Sequence, residues 1–324
     1  MREPSTTWRE EIASDEETRF SEYATQFAEV QRLKSAKFGK GRTLHRKQLL
    51  ALRAQLEVLP GLPAFAAHGL FARPATYDAR VRLSNGGTDR AKDLRPDVRG
   101  FALKVLGLEG KGALGGTTTE QDFLLINHSK FSFPKSDEFV GLALAAARGP
   151  GALIGYMINR YGFMAGLSRV GDIARTFGKP FAGFAAETMH TAAPIACGPY
   201  AAKARLVPLN APAPARDGKN WASDITGRLV RGPLQWNLQL QFFVDENLTP
   251  IEDASVEWPD RLAPIVTVAR LVVPQQSVSD LIAAEVESAK FDPWNALAEH
   301  RPLGDVMRAR KVVYYESQKG RGAA

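Results

Sequence analysis

The stretch Ala309-Arg310-Lys311-Val312-Val313-Tyr314-Tyr315 lies near the end of the chain and has the composition of a basic, apolar helix turn. Arg310 precedes Tyr314 by four residues, so a helix places both side chains on one face. A guanidinium beside a phenol favours the ionised phenolate, because opposite charges attract. An anionic tyrosine oxygen is one of the few protein ligands used for haem iron. The spacing therefore predicts a haem-ligating Tyr314, with an ordinary pair of helix-surface neighbours as the alternative.

The adjacent Tyr315 is the other possible ligand in this stretch, but it has no arginine four residues before it. We therefore interpret Tyr315 as a packing residue.

Length and charge are those of a globular protein of moderate size. The chain has 324 residues, of which 44% are hydrophobic and 24% are charged, which suits one large domain or two ordinary ones. A formal net charge of +7 favours solubility and attraction to anionic small molecules or membrane surfaces. The basic residues are dispersed along the chain, so we do not expect nucleic acid as a partner.

The cysteine content and the N-terminus both favour a cytoplasmic protein. A single cysteine, Cys197, excludes an internal disulfide framework and suits a reducing compartment. The segment from Met1 to Glu17 is polar and acidic and lacks the apolar core of a secretory signal. No spacing of histidine, cysteine and carboxylate residues indicates a zinc site.

The most apolar window runs from Val140 to Ile158 and is interrupted by Arg148 and by the Gly149-Pro150-Gly151 break. The break makes the window too short to span a bilayer, so we expect no stable membrane insertion. Two short helices packed on a core are one interpretation, and a loose apolar mouth that admits an apolar substrate is the other.

Hydrophobic periodicity divides the chain into helices and short strands. Helices are predicted over 15–33, 62–71, 137–192 with breaks, and 279–288. Strands are predicted over 79–84, 99–108, 121–127, 199–207, 234–245 and 265–273. The segment 49–58 fits neither period cleanly and stays open between helix and strand, and residues 1–14 are expected to be disordered. Short strands joined by loops favour antiparallel pairing, so the predicted class is α+β on one antiparallel sheet or barrel.

The string Gly110-x-Gly112-x-x-Gly115 has the form of a dinucleotide-binding fingerprint. That fingerprint requires a helix directly after the glycines and an acidic residue at the end of the next strand. A threonine run and a further strand follow here instead, so we reject dinucleotide binding at this loop. The loop from Gly107 to Thr119 is expected to be a flexible tip.

Three stretches together resemble the motifs of the haem catalase superfamily. The first is Arg42-x-x-His45-x-Lys47. The second is Val81-Arg82-Leu83-Ser84, followed by Asp97-x-Arg99-Gly100-Phe101-Ala102-x-Lys104. The third runs from Ala284-Glu285-Val286-Glu287 through Phe291-Asp292-Pro293 to Arg310-x-x-x-Tyr314 and Arg321. They occur in the family's order over residues 40–321, in a chain much shorter than a full catalase, so the chain resembles the short, catalase-related haem proteins of bacteria.

The resemblance implies an antiparallel β-barrel with surrounding helices, and a haem b buried between the barrel and the C-terminal helix. Together with the composition and periodicity of the N-terminus, it gives the predicted organisation: residues 1–36 are a disordered tail and helix, and residues 37–324 are a single catalase-like haem domain. Tyr314 matches the proximal iron ligand and Arg310 the residue that keeps it ionised. His45 matches the distal histidine, and Ser84 matches the hydroxyl that orients its imidazole.

The resemblance further implies how the porphyrin is held. Arg42, Arg82 and Arg321 match the arginines that bind the haem propionates, a task that the forked guanidinium suits. Phe131 matches the aromatic residue that stacks on the haem, with Phe133 as the alternative.

These residue types suit peroxide chemistry, because splitting an O–O bond requires a proton to move from one oxygen to the other. A neutral imidazole can act first as base and then as acid, and a partner on its second nitrogen selects its tautomer. The resemblance therefore implies a haem-dependent oxidoreductase that uses hydrogen peroxide or an organic hydroperoxide. The expected partners are the peroxide and a small organic reductant or lipid, and the expected state is a monomer or a homodimer.

One departure from the family concerns the distal pocket, where full catalases have an asparagine that helps to seat hydrogen peroxide. The sequence there is Thr117-Thr118-Thr119-Glu120-Gln121-Asp122, so Glu120 or Gln121 is nearest and no asparagine stands in register. We therefore expect peroxidase use of peroxides over fast disproportionation. A fatty-acid hydroperoxide isomerase of allene oxide synthase type, a true catalase and a non-enzymatic haem-binding or lipid-binding module are the alternatives.

Overall fold

The computed structural model describes residues 2–210, 213–215 and 220–323. Within these residues, the helices are α1 Glu16–Phe38, α2 Ser136–Arg148, α3 Pro150–Tyr161, α4 Phe163–Phe177, α5 Trp221–Leu229, α6 Asp280–Ser288 and α7 Asp305–Arg321. The strands are β1 Gln48–Val58, β2 Ala75–Asn85, β3 Arg99–Lys111, β4 Thr117–Ile126, β5 Met189–His190, β6 Ile195–Cys197, β7 Tyr200–Pro208, β8 Leu234–Phe242 and β9 Ile265–Val273. The class is α+β, as the sequence predicted.

Eight of the strands in the described part of the chain close into an antiparallel β-barrel. Their order is β5-β4-β3-β2-β1-β9-β8-β7, and β7 pairs back with β5 to complete the ring. β6 adds to the end of β7 beside this closure. The alternating pattern of the strands decides which side chains face inward: Val81 and Leu83 of β2 are buried in the core, whereas Arg82 and Ser84 face outward.

Apolar side chains fill the interior of the barrel. Phe101 packs edge-on against Trp236, with 5.5 Å between the ring centroids, and Phe123 and Leu240 are buried in the same cluster. A closed barrel of eight strands is just wide enough for its own side chains to fill it. A site for a large ligand is therefore expected on the outer surface, where the helices pack.

The C-terminal helix α7 is fixed between α1 and the outer face of the barrel. Phe20, Phe27, Val140 and Ala309 form one buried cluster that joins α1, α2 and α7. The amide of Gln31 on α1 donates to the carbonyl oxygen of Ser317 at 2.9 Å, which ties the two long helices together. α7 ends at Gly322 in the left-handed conformation, φ 72° and ψ 38°, a common helix stop.

Several expected elements have different bounds in the structure. The segment 49–58, which the sequence left open between helix and strand, is strand β1. The helix expected over 62–71 is only a 3₁₀ turn at Gly69–Phe71. The backbone at His68 and Gly69 explains the second difference, because His68 is extended and Gly69 has a φ of 52°, in the left-handed region, so a right-handed helix cannot run through them. The expected flexible tip is instead the end of the β3–β4 hairpin, which is paired as far as Lys111 with Thr117. The helical region expected over 137–192 ends at Phe177 and is followed by β5. No helix in the described part of the chain is long and apolar enough to cross a bilayer.

The N-terminal segment differs from the disordered tail that the sequence predicted. Within the described residues 2–14, the amide of Ser5 donates to the carbonyl of Phe243, and the indole of Trp8 donates to the carbonyl of Pro199, both at 2.9 Å. Glu10 accepts from Arg301 at 2.7 Å, and the hydrogen bonds of this side chain hold the pKa of Glu10 below its ordinary value despite its burial. The prediction of disorder is therefore wrong for residues 2–14, which are held by partners far away in the sequence.

Arg308 on α7 connects this N-terminal segment to the helix that carries Tyr314. Its guanidinium donates to Glu10 at 2.9 Å, to Glu16 at 2.7 Å and to Glu252 at 2.9 Å. All four side chains are at most 13% exposed, so these are nearly buried ion pairs.

We expect Arg308→Ala to lower the free energy of unfolding by about 3–5 kcal/mol, because it removes the cation beside the nearly buried Glu16 and Glu252 carboxylates and leaves Glu10 with Arg301 alone. Urea or thermal denaturation measures this change. Arg175→Ala is the matched control, since the exposed Arg175–Asp172 pair should contribute at most ~1 kcal/mol. Equal effects of the two substitutions would contradict a structural role for Arg308.

Candidate active site

A cavity lies between the outer face of strands β2–β4 and the helices α1, α2 and α7. Its empty space, including the opening to solvent, is about 1260 Å³. The lining is largely apolar and includes Phe27, Phe101, Leu124, Ile126, Phe131, Phe139, Val140, Phe291, Val306 and Val313. Its polar groups are concentrated on β2, on the loop before β1 and along α7.

Arg310 and Tyr314 lie together on the face of α7 that lines the cavity. The Arg310 Nη2 donates to the Tyr314 Oη at 2.8 Å, and the guanidinium carbon lies 4.9 Å from the centroid of the tyrosine ring. A guanidinium that donates to a phenol oxygen stabilises negative charge on that oxygen. Tyr315 points elsewhere, because its side chain is 54% exposed and does not line the cavity.

Residues Phe291 to Trp294 form a turn that fixes the position of α7. The Trp294 indole donates to the carbonyl of Met307 at 2.7 Å. The amide of Gln318 on α7 donates to the Asp292 carboxylate at 2.6 Å, and the same carboxylate accepts from the Trp294 backbone amide. The turn therefore contacts α7 at two positions, Met307 and Gln318, one on each side of Tyr314.

His45 and Ser84 form a second pair that lines the same cavity. The His45 Nδ1 lies 3.0 Å from the Ser84 Oγ, and the backbone of His45 has a φ of 50°, in the left-handed region. Burial, together with the nearby Arg82, Arg310 and Arg42, lowers the pKa of His45 to about 3. The imidazole is therefore neutral at physiological pH, with one nitrogen engaged by Ser84.

Gly100 allows His45 and Ser84 to approach each other. It lies on β3 directly opposite Ser84, between β2 and β4. A Cβ at this position would lie 2.5 Å from the His45 Nδ1 and 2.7 Å from the Ser84 Oγ, which is closer than such contacts occur. No larger residue can occupy position 100 while the imidazole keeps its place.

We therefore expect Gly100→Ala to displace the imidazole and to lower the peroxide turnover expected from the sequence by about 10²-fold, which is the usual cost of a small misplacement of a reacting group. Steady-state turnover, recorded after the protein has been mixed with the expected haem, measures the effect. The control is Gly227→Ala in α5, where an added Cβ meets no atom within 4 Å and turnover should not change. Unchanged turnover in Gly100→Ala would contradict the importance of the His45–Ser84 pair.

Three arginines converge at the C-terminal end of α6, at the rim of the cavity. Arg42 donates to the carbonyl of Ala289 at 2.8 Å, and Arg321 donates to the same carbonyl at 2.7 Å. Arg42 and Arg82 share the Glu287 carboxylate, at 3.1 and 3.0 Å. Cations are favourable at a helix C-terminus, because the last carbonyl groups carry partial negative charge.

This arginine cluster has more positive than negative charge. Burial, together with the neighbouring Arg82 and Arg321, holds the pKa of Arg42 well below its ordinary value. Three guanidinium groups face the single Glu287 carboxylate, so two positive charges are unbalanced within the cluster. Two carboxylates of a ligand would balance them.

The aromatic residue predicted to stack on a cofactor is placed at the cavity. Phe131 lines the wall and packs edge-on against Phe139, with ring centroids 5.9 Å apart. The alternative, Phe133, is buried in a separate cluster with Leu142 and Met157 and does not line the cavity.

Full catalases have a distal asparagine, and Glu120 and Gln121 are the residues nearest to that position in this sequence. Both lie outside the cavity lining. Glu120 binds Lys104 and Asn295, and the Gln121 amide oxygen accepts from the backbone of Leu297. Asn127, at the end of β4, accepts from the backbone amide of Arg99 at 2.8 Å. Among the described residues, the lining contains no asparagine.

The structure adds lining residues to which the sequence assigned no role. Gly100 and Val313 stand inside the quoted motifs, whereas Phe139, Thr191 and Gln318 lie outside them. One signal for part of this set is present in the sequence. The residues of α7 that line the cavity recur at spacings of three and four from Val306 to Arg321, which is the period of one helix face. Thr191 and Phe139 have no such signal, because tertiary packing alone brings them to the cavity.

Comparisons with known proteins agree with this fold. No family model and no curated protein matches the chain. A fungal catalase structure matches with a TM-score of 0.70 and 18% identity over 87% of this chain and 59% of that one. Catalase A from Saccharomyces cerevisiae matches with a TM-score of 0.69 and 16% identity over 87% of this chain and 61% of that one. A bacterial catalase matches with a TM-score of 0.68 and 14% identity over 100% of this chain and 64% of that one.

These similarities show that the chain has a catalase-like fold, which confirms the predicted barrel with surrounding helices. The chain spans about three fifths of the length of the catalases that it matches. At 14–18% identity the likeness concerns the fold, so the activity depends on the geometry of the cavity itself.

Proposed function

We propose that this protein is a haem-dependent peroxidase that reduces hydrogen peroxide or organic hydroperoxides in the cytoplasm. The proposal is based on the residues that line one cavity. A phenol paired with a guanidinium and a neutral imidazole paired with a hydroxyl both line it, between largely apolar walls.

The residues present fit haem b in their chemistry. Tyr314 offers an oxygen ligand for ferric iron, with Arg310 to stabilise its anionic form. The two unbalanced positive charges of Arg42, Arg82 and Arg321 match the two propionates. The apolar walls, including Phe131, suit the hydrophobic faces of a porphyrin.

Haem bound there would supply the iron at which the O–O bond of a peroxide is reduced. The protein's own contribution is proton transfer by His45. Its Nδ1 is engaged by Ser84, so the Nε2 is the nitrogen that can take a proton from one peroxide oxygen and return it to the other. Because the pKa of His45 is about 3, the imidazole is available as a base at neutral pH.

Peroxidase use of peroxides is favoured over fast disproportionation because the described lining lacks an asparagine. Single electrons from a small organic reductant would then complete the cycle. The reductant, and a monomeric or homodimeric state, remain predictions.

An isomerase of fatty-acid hydroperoxides is the second candidate, and the apolar lining is the observation that favours it. Leu124, Ile126, Phe139 and Val140 form a wall suited to an alkyl chain. An isomerase converts its substrate without an external reductant, which separates it from a peroxidase.

A peroxide panel read by stopped-flow absorbance distinguishes these functions. Hydrogen peroxide, cumene hydroperoxide and a fatty-acid hydroperoxide are each mixed with the haem-loaded protein, with and without an oxidisable dye. Dye oxidation that requires peroxide supports the peroxidase. Consumption of the fatty-acid hydroperoxide without dye supports the isomerase, and oxygen release from hydrogen peroxide supports a catalase. Haem binding with no turnover of any peroxide would overturn the enzymatic proposal.

A further inference from the structure

Two hydroxyl groups without an assigned role lie next to each other in the cavity lining. The Thr43 Oγ1 is 3.4 Å from the Ser317 Oγ, and both residues line the cavity. Thr43 belongs to the loop before β1, and Ser317 belongs to α7, three residues after Tyr314. We refer to Thr43 and Ser317 as the hydroxyl pair.

The hydroxyl pair lies beside the arginine cluster, because the same two segments of the chain carry both. Thr43 directly follows Arg42, and Ser317 precedes Arg321 by four residues, which places these two side chains on one face of α7. Arg42 and Arg321 meet at the Ala289 carbonyl, at 2.8 and 2.7 Å. The two segments therefore run side by side, with guanidinium groups at one contact and neutral hydroxyls at the next.

Gln31 on α1 sets the direction of the hydrogen bonds in the hydroxyl pair. Its amide nitrogen donates to the carbonyl oxygens of Gly41 and Ser317, at 3.0 and 2.9 Å. Both N–H groups are thus used, and the amide oxygen accepts from the Thr43 hydroxyl at 3.2 Å. A hydroxyl has only one hydrogen, so the Thr43 oxygen is an acceptor toward Ser317.

The hydrogen of the Ser317 hydroxyl is held only weakly within the protein. The distance of 3.4 Å to the Thr43 Oγ1 is longer than the roughly 2.5–3.0 Å of ordinary O–H···O bonds. A serine within a helix often bonds to the carbonyl four residues before it, but among the described residues Thr43 is the only partner of this hydroxyl. A stronger acceptor in the cavity can therefore take this hydrogen while Thr43 and Gln31 stay in place.

A carboxylate of a ligand is the acceptor that the surroundings favour. Among the described residues, the lining contains four arginines and no aspartate or glutamate. The Glu287 carboxylate lies outside the lining and is already shared by Arg42 and Arg82. A ligand carboxylate bound by arginines can still accept from a hydroxyl, because its two oxygens offer about four lone-pair sites.

We propose that the Ser317 hydroxyl donates a hydrogen bond to a propionate of the bound haem, with Thr43 and Gln31 as the residues that position it. This inference rests on the proposed function, since the propionates are the carboxylates that haem would bring. It adds a neutral donor to the three arginines of the cluster. A hydrogen bond to an ionised group is roughly twice as strong as one between neutral groups, so the contribution should be measurable.

Binding of hemin and of hemin dimethyl ester to the apoprotein, followed by absorbance, tests the proposal. The ester has the same iron and porphyrin ring but carries no carboxylate. We expect Ser317→Ala to weaken hemin binding by about 10–100-fold, the usual contribution of a hydrogen bond to a charged group. Binding of the ester should weaken by at most about threefold, because a neutral carbonyl forms the weaker kind of bond.

Ser288→Ala is the matched control. The carbonyl of Ser288 accepts from Arg321 at 3.1 Å, so this serine also lies at the arginine cluster, but its hydroxyl donates to the Glu285 carbonyl and does not line the cavity. Both affinities should equal those of the wild type. The propionate bending bands in the resonance Raman spectrum give a second readout. They should shift in Ser317→Ala and stay in place in Ser288→Ala.

Equal losses of affinity for hemin and for the ester in Ser317→Ala would overturn the proposal, because they would assign the hydroxyl to the shape of the cavity. Unchanged hemin affinity with unshifted propionate bands would overturn it too, and wild-type binding of hemin would then leave the proposed cofactor in place. A wild-type protein that binds neither porphyrin would contradict the cofactor itself, and this inference with it.

Discussion

Replacing Tyr314 with phenylalanine should lower the affinity for ferric haem by more than about 100-fold, because losing even a group that supports a metal ligand costs 10–100-fold. The substitution removes only the Oη, which accepts from Arg310 at 2.8 Å, and leaves the ring in the apolar wall. Without that oxygen, α7 would offer no anionic ligand to the iron of a bound haem. Titration of the apoprotein with hemin, followed by absorbance, measures the affinity and the spectrum together.

The matched control is Tyr315→Phe, which removes the hydroxyl of the next residue on the same helix. Tyr315 is exposed and does not line the cavity, so haem affinity and spectrum should equal those of the wild type. A Tyr314→Phe variant with an unchanged haem spectrum would contradict the ligand assignment. A wild-type protein that binds no hemin would contradict the cofactor.

Replacing His45 with asparagine should lower peroxide turnover by about 10²–10⁴-fold, the usual contribution of a general acid–base group, and leave haem content unchanged. Asparagine is chosen because it tolerates the left-handed backbone that His45 adopts at φ 50°, so the loop before β1 should keep its course. An amide cannot accept and return a proton as an imidazole can. Stopped-flow measurement with cumene hydroperoxide gives the rate, and the haem spectrum gives the content.

His128→Asn is the control for this substitution, because His128 follows β4 and lies outside the cavity lining. Its turnover should match the wild type. Loss of haem from His45→Asn, or turnover within about threefold of the wild type, would remove His45 from the proton-transfer role.

The pH dependence of turnover offers a separate test of the same residue. Burial, with the help of three arginines, lowers the pKa of His45 to about 3, so the neutral form persists well below the ordinary value. Turnover should therefore stay level as the pH falls from about 8 to about 5, whereas an unperturbed histidine would lose half of its base form near pH 6.5. A midpoint near 6.5 that is absent in His45→Asn would show that the imidazole is not held neutral.

The spacing of residues along the chain predicts which neighbours on one helix pair in the site. It does not predict which distant residues meet there. Arg310 and Tyr314 are one helical turn apart, so the period of the helix is enough to pair them. The approach of Arg42, Arg82 and Arg321 to the end of α6 depends on tertiary packing, and only the resemblance to a family indicated it in advance. Gly100 shows the same limit, because its importance comes from the cross-strand register that places it opposite Ser84.

The N-terminal segment shows why a polar composition can mislead. Residues 1–14 have few apolar side chains, which predicts disorder when the segment is considered alone. Their partners, such as Arg301 for Glu10, are nearly 300 residues away, so no local pattern contains the interaction. The sequence left 49–58 undecided between helix and strand for a similar reason. The segment is a strand because β2 and β9 pair with it on both sides, and neither partner is adjacent to both of its ends in the sequence.

A crystal structure of the haem-loaded protein, with anomalous scattering recorded at the iron edge, tests the central claim most directly. We expect the iron peak in the cavity between β2–β4 and α7, bonded to the Tyr314 Oη, with the imidazole of His45 facing the opposite side of the porphyrin. The propionates should contact Arg42, Arg82 or Arg321. An iron peak bonded to any other side chain, or a porphyrin outside this cavity, would contradict the account.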